Sequence, residues 1–348
     1  METNNRLSKQ KNTLCGHKGP VLLLFAGILL VLFLFSFAIG RYGVSVGNVI
    51  KILLSGIFPM KKTWTSAMEA SVLNVRLPRI LLSCLVGCCL SAAGASYQGI
   101  FRNPMAAPDI LGASSGAAFG AALAILRGGT SYQITAAAFA ASLVAVGTVF
   151  FIARRAPDLP VINLILAGIM VSSLFSAGTS YIKLVADPSN QLPAITYWMM
   201  GSLNGSKMHT VLLSLIPMAA GCLTLLLVRW RINLLTLGEE EAHTLGINTN
   251  LLRLVVILAS TLITAASVSV SGMIGWVGLV IPHLVRKLMG SDYRFLLPGS
   301  MLVGAAFLLI VDDVSRNLLA TEIPIGILTA LIGAPFFIYL MMKQEKNL

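Results

Sequence analysis

Charge is what this 348-residue sequence has least of: Asp, Glu, Lys and Arg together make 11% of it, against about 25% in a soluble domain. With 56% hydrophobic residues, too little polar surface remains to clothe a water-soluble globule. Acids are the scarcest, and they cluster at Asp109, Asp158, Glu239 to Glu241, Asp312, Asp313 and Glu322, at or beyond the ends of the apolar runs. No paired acid and base at membrane depth is therefore offered for catalysis. The buried carboxylate customary in ion-coupled transport is missing too, although backbone carbonyls can bind sodium, so an ion-coupled secondary transporter stays open as an alternative. The four histidines are scattered, and neither HExxH nor a GxxxxGK[ST] phosphate loop occurs. Of the five cysteines, Cys84 and Cys88 share a helix face with no His or carboxylate beside them, which reads as small buried hydrophobes rather than metal ligands. The net charge of +12 reads as membrane topology rather than nucleic-acid binding. A cleavable signal peptide is not expected, because about twenty polar residues precede the first apolar stretch without a small-residue cleavage site.

What is present is a succession of apolar runs, near residues 21–40, 78–98, 111–125, 134–153, 161–182, 210–228, 251–268, 274–284, 296–310 and 323–341. These predict an all-α polytopic membrane protein of about ten transmembrane helices. A polar tail, 1–20, precedes a membrane domain, 21–343, which includes a charged connection at 229–250, and a short tail, 344–348, follows. An even number of spans puts both termini on one side. With the termini inside, 15 basic residues face inward and 10 outward, which favours cytoplasmic termini. GAAF at Gly116–Phe119 recurs at Gly304–Phe307, and an offset of five spans would make the two halves an inverted repeat.

Three islands interrupt the apolar pattern. In Ser91–Phe119, small residues around Gly94 allow close helix approach, while Gln98, Asn103, Pro104 and Pro108 stop the helix and shape a polar turn suited to a pathway or to a tightly packed hairpin. In Ser271–Gly290, three glycines and Pro282 make a short span that relies on neighbours to cover loosened backbone. In Arg229–Gly246, Leu234, Leu235 and Leu237 offer an apolar surface and Gly238 breaks it. Glu239, Glu240 and Glu241 then open a short helix that ends by Gly246, and a compact helix-Gly-helix plug of this kind suits docking into a cytoplasmic partner.

These segments, with RLPR at Arg76–Arg79, YWMMGSL at Tyr197–Leu203 and EIPIGILTALIGAPFFIYL at Glu322–Leu340, occur in an order that resembles the FecCD/BtuC-type permease family over about residues 20 to 343. These are the membrane subunits of ATP-driven importers of iron-siderophores, cobalamin and haem. The resemblance implies a BtuC-like ten-helix permease fold in a bacterial inner membrane, paired as a homodimer or with a related permease. It also implies two cytoplasmic ATP-binding subunits that use ATP and Mg, an extracytoplasmic binding protein that delivers cargo, and no cofactor on this chain. Carried over by position, Arg76, Arg79 and Arg316 would meet glutamates of the binding protein, and Asn233–Gly246 would be the ATPase-coupling element. Val161 and Ile162 would stand at gate positions where relatives carry small polar residues. Iron-siderophore uptake is the expected cargo class, with haem or cobalamin next.

Overall fold

The computed structural model describes residues 18–40, 42–55, 58, 62–155, 160–319 and 321–344. Most of both predicted tails, and Asp158, lie outside them. Every regular element among the described residues is helical, as long apolar runs require: inside a bilayer only a helix or a closed barrel satisfies its own backbone. The helices are α1 (Lys18–Ser36), α2 (Val46–Ser55), α3 (Ser66–Ala70), α4 (Leu77–Ile100), α5 (Ala113–Leu126), α6 (Ser131–Ala153), α7 (Pro160–Val185) and α8 (Gln191–Met199). They continue with α9 (Met208–Leu237), α10 (Glu239–Thr244), α11 (Thr249–Ser271), α12 (Val277–Met289), α13 (Tyr293–Asn317) and α14 (Ile325–Gln344).

Seven of these are long and apolar enough to cross a membrane: α1, the continuous Ser66–Ile100 helix, α6, α7, α9, α11 and α13. The remaining three expected spans correspond to α5, α12 and α14, of which α5 and α12 have only 14 and 13 residues. Lengths run 24, 14, 23 and 26 residues over α4 to α7, and 23, 13, 25 and 20 over α11 to α14, so the long-short-long-long order recurs in the two halves.

Two boundaries differ from the expectation. Between the first two apolar runs, the amphipathic stretch 41–75 is largely helical among its described residues, and α3 runs through a π-helical turn, Ser71–Arg76, straight into α4. Span 6 does not stop near Val228 but continues as α9 to Leu237, because nothing in RWRINLLTL breaks a helix before Gly238. Pattern reading ends a span where charge begins, whereas a helix projecting beyond the hydrocarbon has no reason to end there.

Burial separates centre from rim. The apolar windows of α4, α11 and α13 are 78%, 72% and 67% buried, those of α6, α7 and α9 only 22–33%, and that of α1 6%. The central α4 packs on α13, α11, α9 and α12. Glycine permits two of these contacts. A Cβ on Gly87 would strike the Gly304 carbonyl of α13, and one on Gly94 would strike the Gly278 backbone of α12. Close approach of this kind replaces the hydrophobic drive that helices lack in lipid. The non-helical backbone after α8 is satisfied by helix ends: Ser202 N–H donates to Ser271 O, the last residue of α11, at 2.8 Å, and the first residues of α14 donate back, Ile325 N–H to Gly201 O at 2.9 Å and Gly326 N–H to Met200 O at 3.1 Å. Gly201 and Gly272 sit there at φ 75° and 69°, conformations that a side chain would strain.

Candidate functional site

The Arg79 end of the bundle is held by ions. Arg79 Nε lies 2.9 Å from Asp312 Oδ1 and its Nη1 3.0 Å from Glu322 Oε1. Arg316 approaches Asp312 at 3.4 Å, pairs with Asp313, and donates to Ser36 Oγ at 2.7 Å. Arg76 donates to the Phe37 and Tyr42 carbonyls. Three helices, α1, α4 and α13, and the connection to α14 thus meet in one network of Arg79, Arg316 and three carboxylates, with Arg76 held beside it on backbone carbonyls that follow α1. Residues of the amphipathic stretch, among them Val49, Ile52 and Trp64, pack with Phe37, Val72 and Ile80 beside it.

Arg76, Arg79 and Arg316, the arginines expected to meet glutamates of the binding protein, are instead engaged within the chain. They are 3%, 5% and 7% exposed. A guanidinium out of water needs partners, and the chain supplies them. Asp312 and Glu322 carried the missed signal: two acids at the ends of otherwise acid-free apolar runs match a buried cation better than they match solvent. The cations at this end that stay exposed are others, including Lys62, which meets Glu69 at 3.0 Å, and Lys207.

At the opposite end, α9 turns a corner. Gly238 takes φ 155° and ψ 162°, a region essentially reserved for glycine, and α10 starts at the next residue. Ala242 N–H donates to Gly238 O at 3.1 Å and Ile247 N–H to Ala242 O at 3.1 Å, after which Gly246 at φ 78° has already reversed the chain toward α11. The helix-Gly-helix expectation therefore describes this corner, with one change. Leu234 and Leu235 belong to the last turns of α9, and Leu235 is buried inside the chain at 3% exposure. Leu245, 60% exposed, is an apolar side chain that the corner does present, along with the exposed Glu241. Glu239 and Glu240 continue the α10 backbone, and Leu237 is the last residue of α9.

A polar chain ties this corner to the core. Asn233 Nδ2 donates to Asp292 Oδ1 at 2.9 Å, and Asn233 Oδ1 accepts from Tyr293 N–H at 2.8 Å. Asp292 caps α13 by accepting from Arg294 N–H at 3.0 Å. The Arg294 guanidinium, 2.7 Å from its carboxylate, holds the Asp292 pKa down at about 2. Arg286 of α12 donates to Gln98 Oε1 at 3.0 Å, and Gln98 Nε2 donates to Leu279 O at 3.3 Å. The sequence pattern placed Asn233 only at the edge of the coupling segment and missed Asp292, which, two residues after Gly290 and immediately before a helix, carried an N-cap signal.

The residues expected along a pathway divide. Gly94 and Gln98 are buried where α4 meets α12. Asn103 and Pro104 lie exposed in the turn after α4, where Asn103 Oδ1 accepts from Met105 N–H at 2.9 Å. Val161 packs on the core, while Ile162 begins an exposed stripe of α7 that continues through Leu166, Met170, Ser173 and Leu174. Of the cysteines read as small hydrophobes, Cys84 packs against the cluster around Phe37 and Ile80 and Cys88 against the main core, where the neighbouring Cys89 is buried with its Sγ 3.7 Å from Cys222 Sγ of α9.

Residues 28–343 match the FecCD transport family. The molybdate import system permease protein of Haemophilus influenzae is 40% identical over 92% of this chain and 94% of its own length. The cobalamin import system permease of Halobacterium salinarum is 46% identical over 78% of this chain and 73% of its own. An inward-facing structure named for a metal-chelate type of ABC transporter superposes with a TM-score of 0.83 at 39% identity, covering 93% of this chain and 99% of that one.

Proposed function

Because the chain belongs to the FecCD transport family, we propose that it is the membrane subunit of an ATP-binding-cassette importer for a ferric-siderophore complex. An extracytoplasmic binding protein delivers the cargo, and ATP is hydrolysed on separate cytoplasmic chains. The observation that carries the energetic half of this reading is the rigid corner at Gly238. A 30-residue helix runs the length of the bundle into it, Asn233 and Asp292 anchor it, and Leu245 projects from it. A push at α10 therefore moves α9 and the α12–α13 connection together. The Gly238 end is then cytoplasmic, in agreement with the bias of basic residues, and both termini lie on that side of the inner membrane.

The exposed stripe of α7 suits a second permease copy, since it mixes Ser173, Ser176 and Ser180 with apolar residues. Docking of the acidic face of a binding protein falls to cations that stay exposed at the Arg79 end, with the buried arginines as the frame beneath them. Cargo rests on the metal-chelate neighbour and on the lack, among the described residues, of a carboxylate, His or Cys cluster suited to bare metal. Relatives named for molybdate and cobalamin carry other cargo on the same scaffold, so specificity is placed in the binding protein.

Purified complex, with its ATPase and binding protein, is expected to hydrolyse ATP faster with loaded ferric siderophore than with haem, cobalamin or molybdate. Stimulation by one of the other three alone would overturn the cargo assignment. Leu245→Asp is expected to leave folding unchanged, because the side chain is exposed. It should remove stimulated hydrolysis or ATPase assembly, since it places a charge in an apolar contact. Normal stimulated transport in that variant would remove the corner from the coupling role. Single-cysteine labelling in intact cells should reach position 207 and not position 245; the reverse pattern would invert the topology.

A further inference from the structure

α6 and α9 both pack on α11, and a cleft remains between them. It encloses about 530 Å³. Ala266, Ser269 and Val270 of α11 form its floor, and Phe139 of α6 and Leu213 and Pro217 of α9 line its walls. Pro217 has no N–H to donate to the Leu213 carbonyl one turn earlier, so α9 carries a loosened turn along this wall. The mouth lies at the Arg79 end, where α6 and α9 begin, and its character changes there. Lys207 and His209 stand on one side and Thr130 and Ser131 on the other, and no carboxylate among the described residues lines the cleft. Thr130 caps α6 in a reciprocal box with Gln133, which fixes this rim in place.

A groove that is apolar at membrane depth and cationic at its mouth has the polarity of one leaflet of a bilayer. We propose that it is a binding site for an anionic phospholipid, with an acyl chain between α6 and α9 and the phosphate at Lys207 and His209. Charge complementarity selects the occupant. A zwitterionic headgroup brings an ammonium to a mouth that holds Lys207, hydroxyls and no carboxylate among the described residues, whereas phosphatidylglycerol brings a phosphate and hydroxyls. Basic pockets between membrane helices recognise headgroups in this way. A second cavity shares Ser131, Thr135, Thr210 and Ser269 with this one and extends to Tyr197 and Trp198 of α8. A lipid in the groove would therefore support the wall on which that short helix rests.

The test is native mass spectrometry of the full permease complex, equilibrated with phosphatidylglycerol or with phosphatidylethanolamine. Preferential retention of phosphatidylglycerol is expected. Lys207→Gln, at an exposed position that folding does not require, should weaken it about fivefold, the value of one basic residue near a membrane surface. Ala136→Trp, which fills the cleft, should reduce retention of both lipids at this site, with both variants checked for unchanged melting. Equal retention of the two lipids by the native protein, or phosphatidylglycerol retention unaltered in both variants, would overturn the proposal. Displacement of the lipid by glycerol 3-phosphate alone would also overturn it, because it would leave the acyl groove without a role.

Discussion

Asp312→Ala is expected to cost about 3–5 kcal/mol, enough to unfold a marginal membrane protein, because it strips Arg79 and Arg316 of a shared buried carboxylate. The reason is asymmetric. An ion pair out of water contributes little net stability while both members are present, but removing one leaves the other uncompensated in a low dielectric. Asp312 is fully buried and Glu322 is 22% exposed, so Glu322→Gln should cost clearly less. Arg79→Glu should be worse than either, since it sets a third carboxylate against Asp312 and Glu322 where a cation stood. Thermal unfolding of the purified variants in detergent measures the ranking. Melting of Asp312→Ala together with the native protein would show that the network is ornamental. A charge reversal at Arg79 therefore reports on folding before it can report on docking, and exposed Lys62 or Lys207 gives the cleaner probe of an acidic partner.

How far the sequence discloses this molecule depends on what each signal is made of. Ten apolar runs predict ten helices in register with the observed ones, because hydropathy is a property of single residues summed over a window. The corner at Gly238 was legible for a similar reason: glycine after a helix is a local stop signal. Which leucine faces outward was not. Leu235 and Leu245 have the same chemistry, and only the packing of α9 against its neighbours buries one and exposes the other. The arginine network shows the same limit. Arg79 and Asp312 are 233 positions apart, and no window contains both. Their partnership was available only through the oddity of isolated acids beside apolar runs. Molybdate, carried by a permease similar to this chain, was likewise outside the expected cargo classes, since no residue pattern in the membrane helices distinguishes a chelate from an oxyanion.

Gly94→Val is expected to destabilise the bundle by about 3 kcal/mol or more, beyond the usual range for overpacking, because the atoms it meets cannot give way. A Cβ at Gly94 would lie within 2.7 Å of Gly278 Cα and closer still to its carbonyl. These are backbone atoms of α12, not the end of a flexible side chain. Gly278 in turn lies against Pro108 and the Leu90 carbonyl, so α12 has no free direction in which to retreat. The disturbance would reach function as well as folding, since Gln98 stands one turn away and bonds Arg286 of the same helix. Gly147→Ala is the matched control: it is also a helical glycine, on α6, but has nothing within 4 Å of its Cβ position. There the substitution should be neutral or stabilising by up to about 1 kcal/mol, since alanine is the better helix former. Size-exclusion profiles and melting temperatures of the two variants should diverge in opposite directions from the native protein. Gly94→Val with native melting would mean that α4 and α12 do not cross as closely as the backbone places them, and the tie from the Gly238 corner through Arg286 to α4 would lose its anchor.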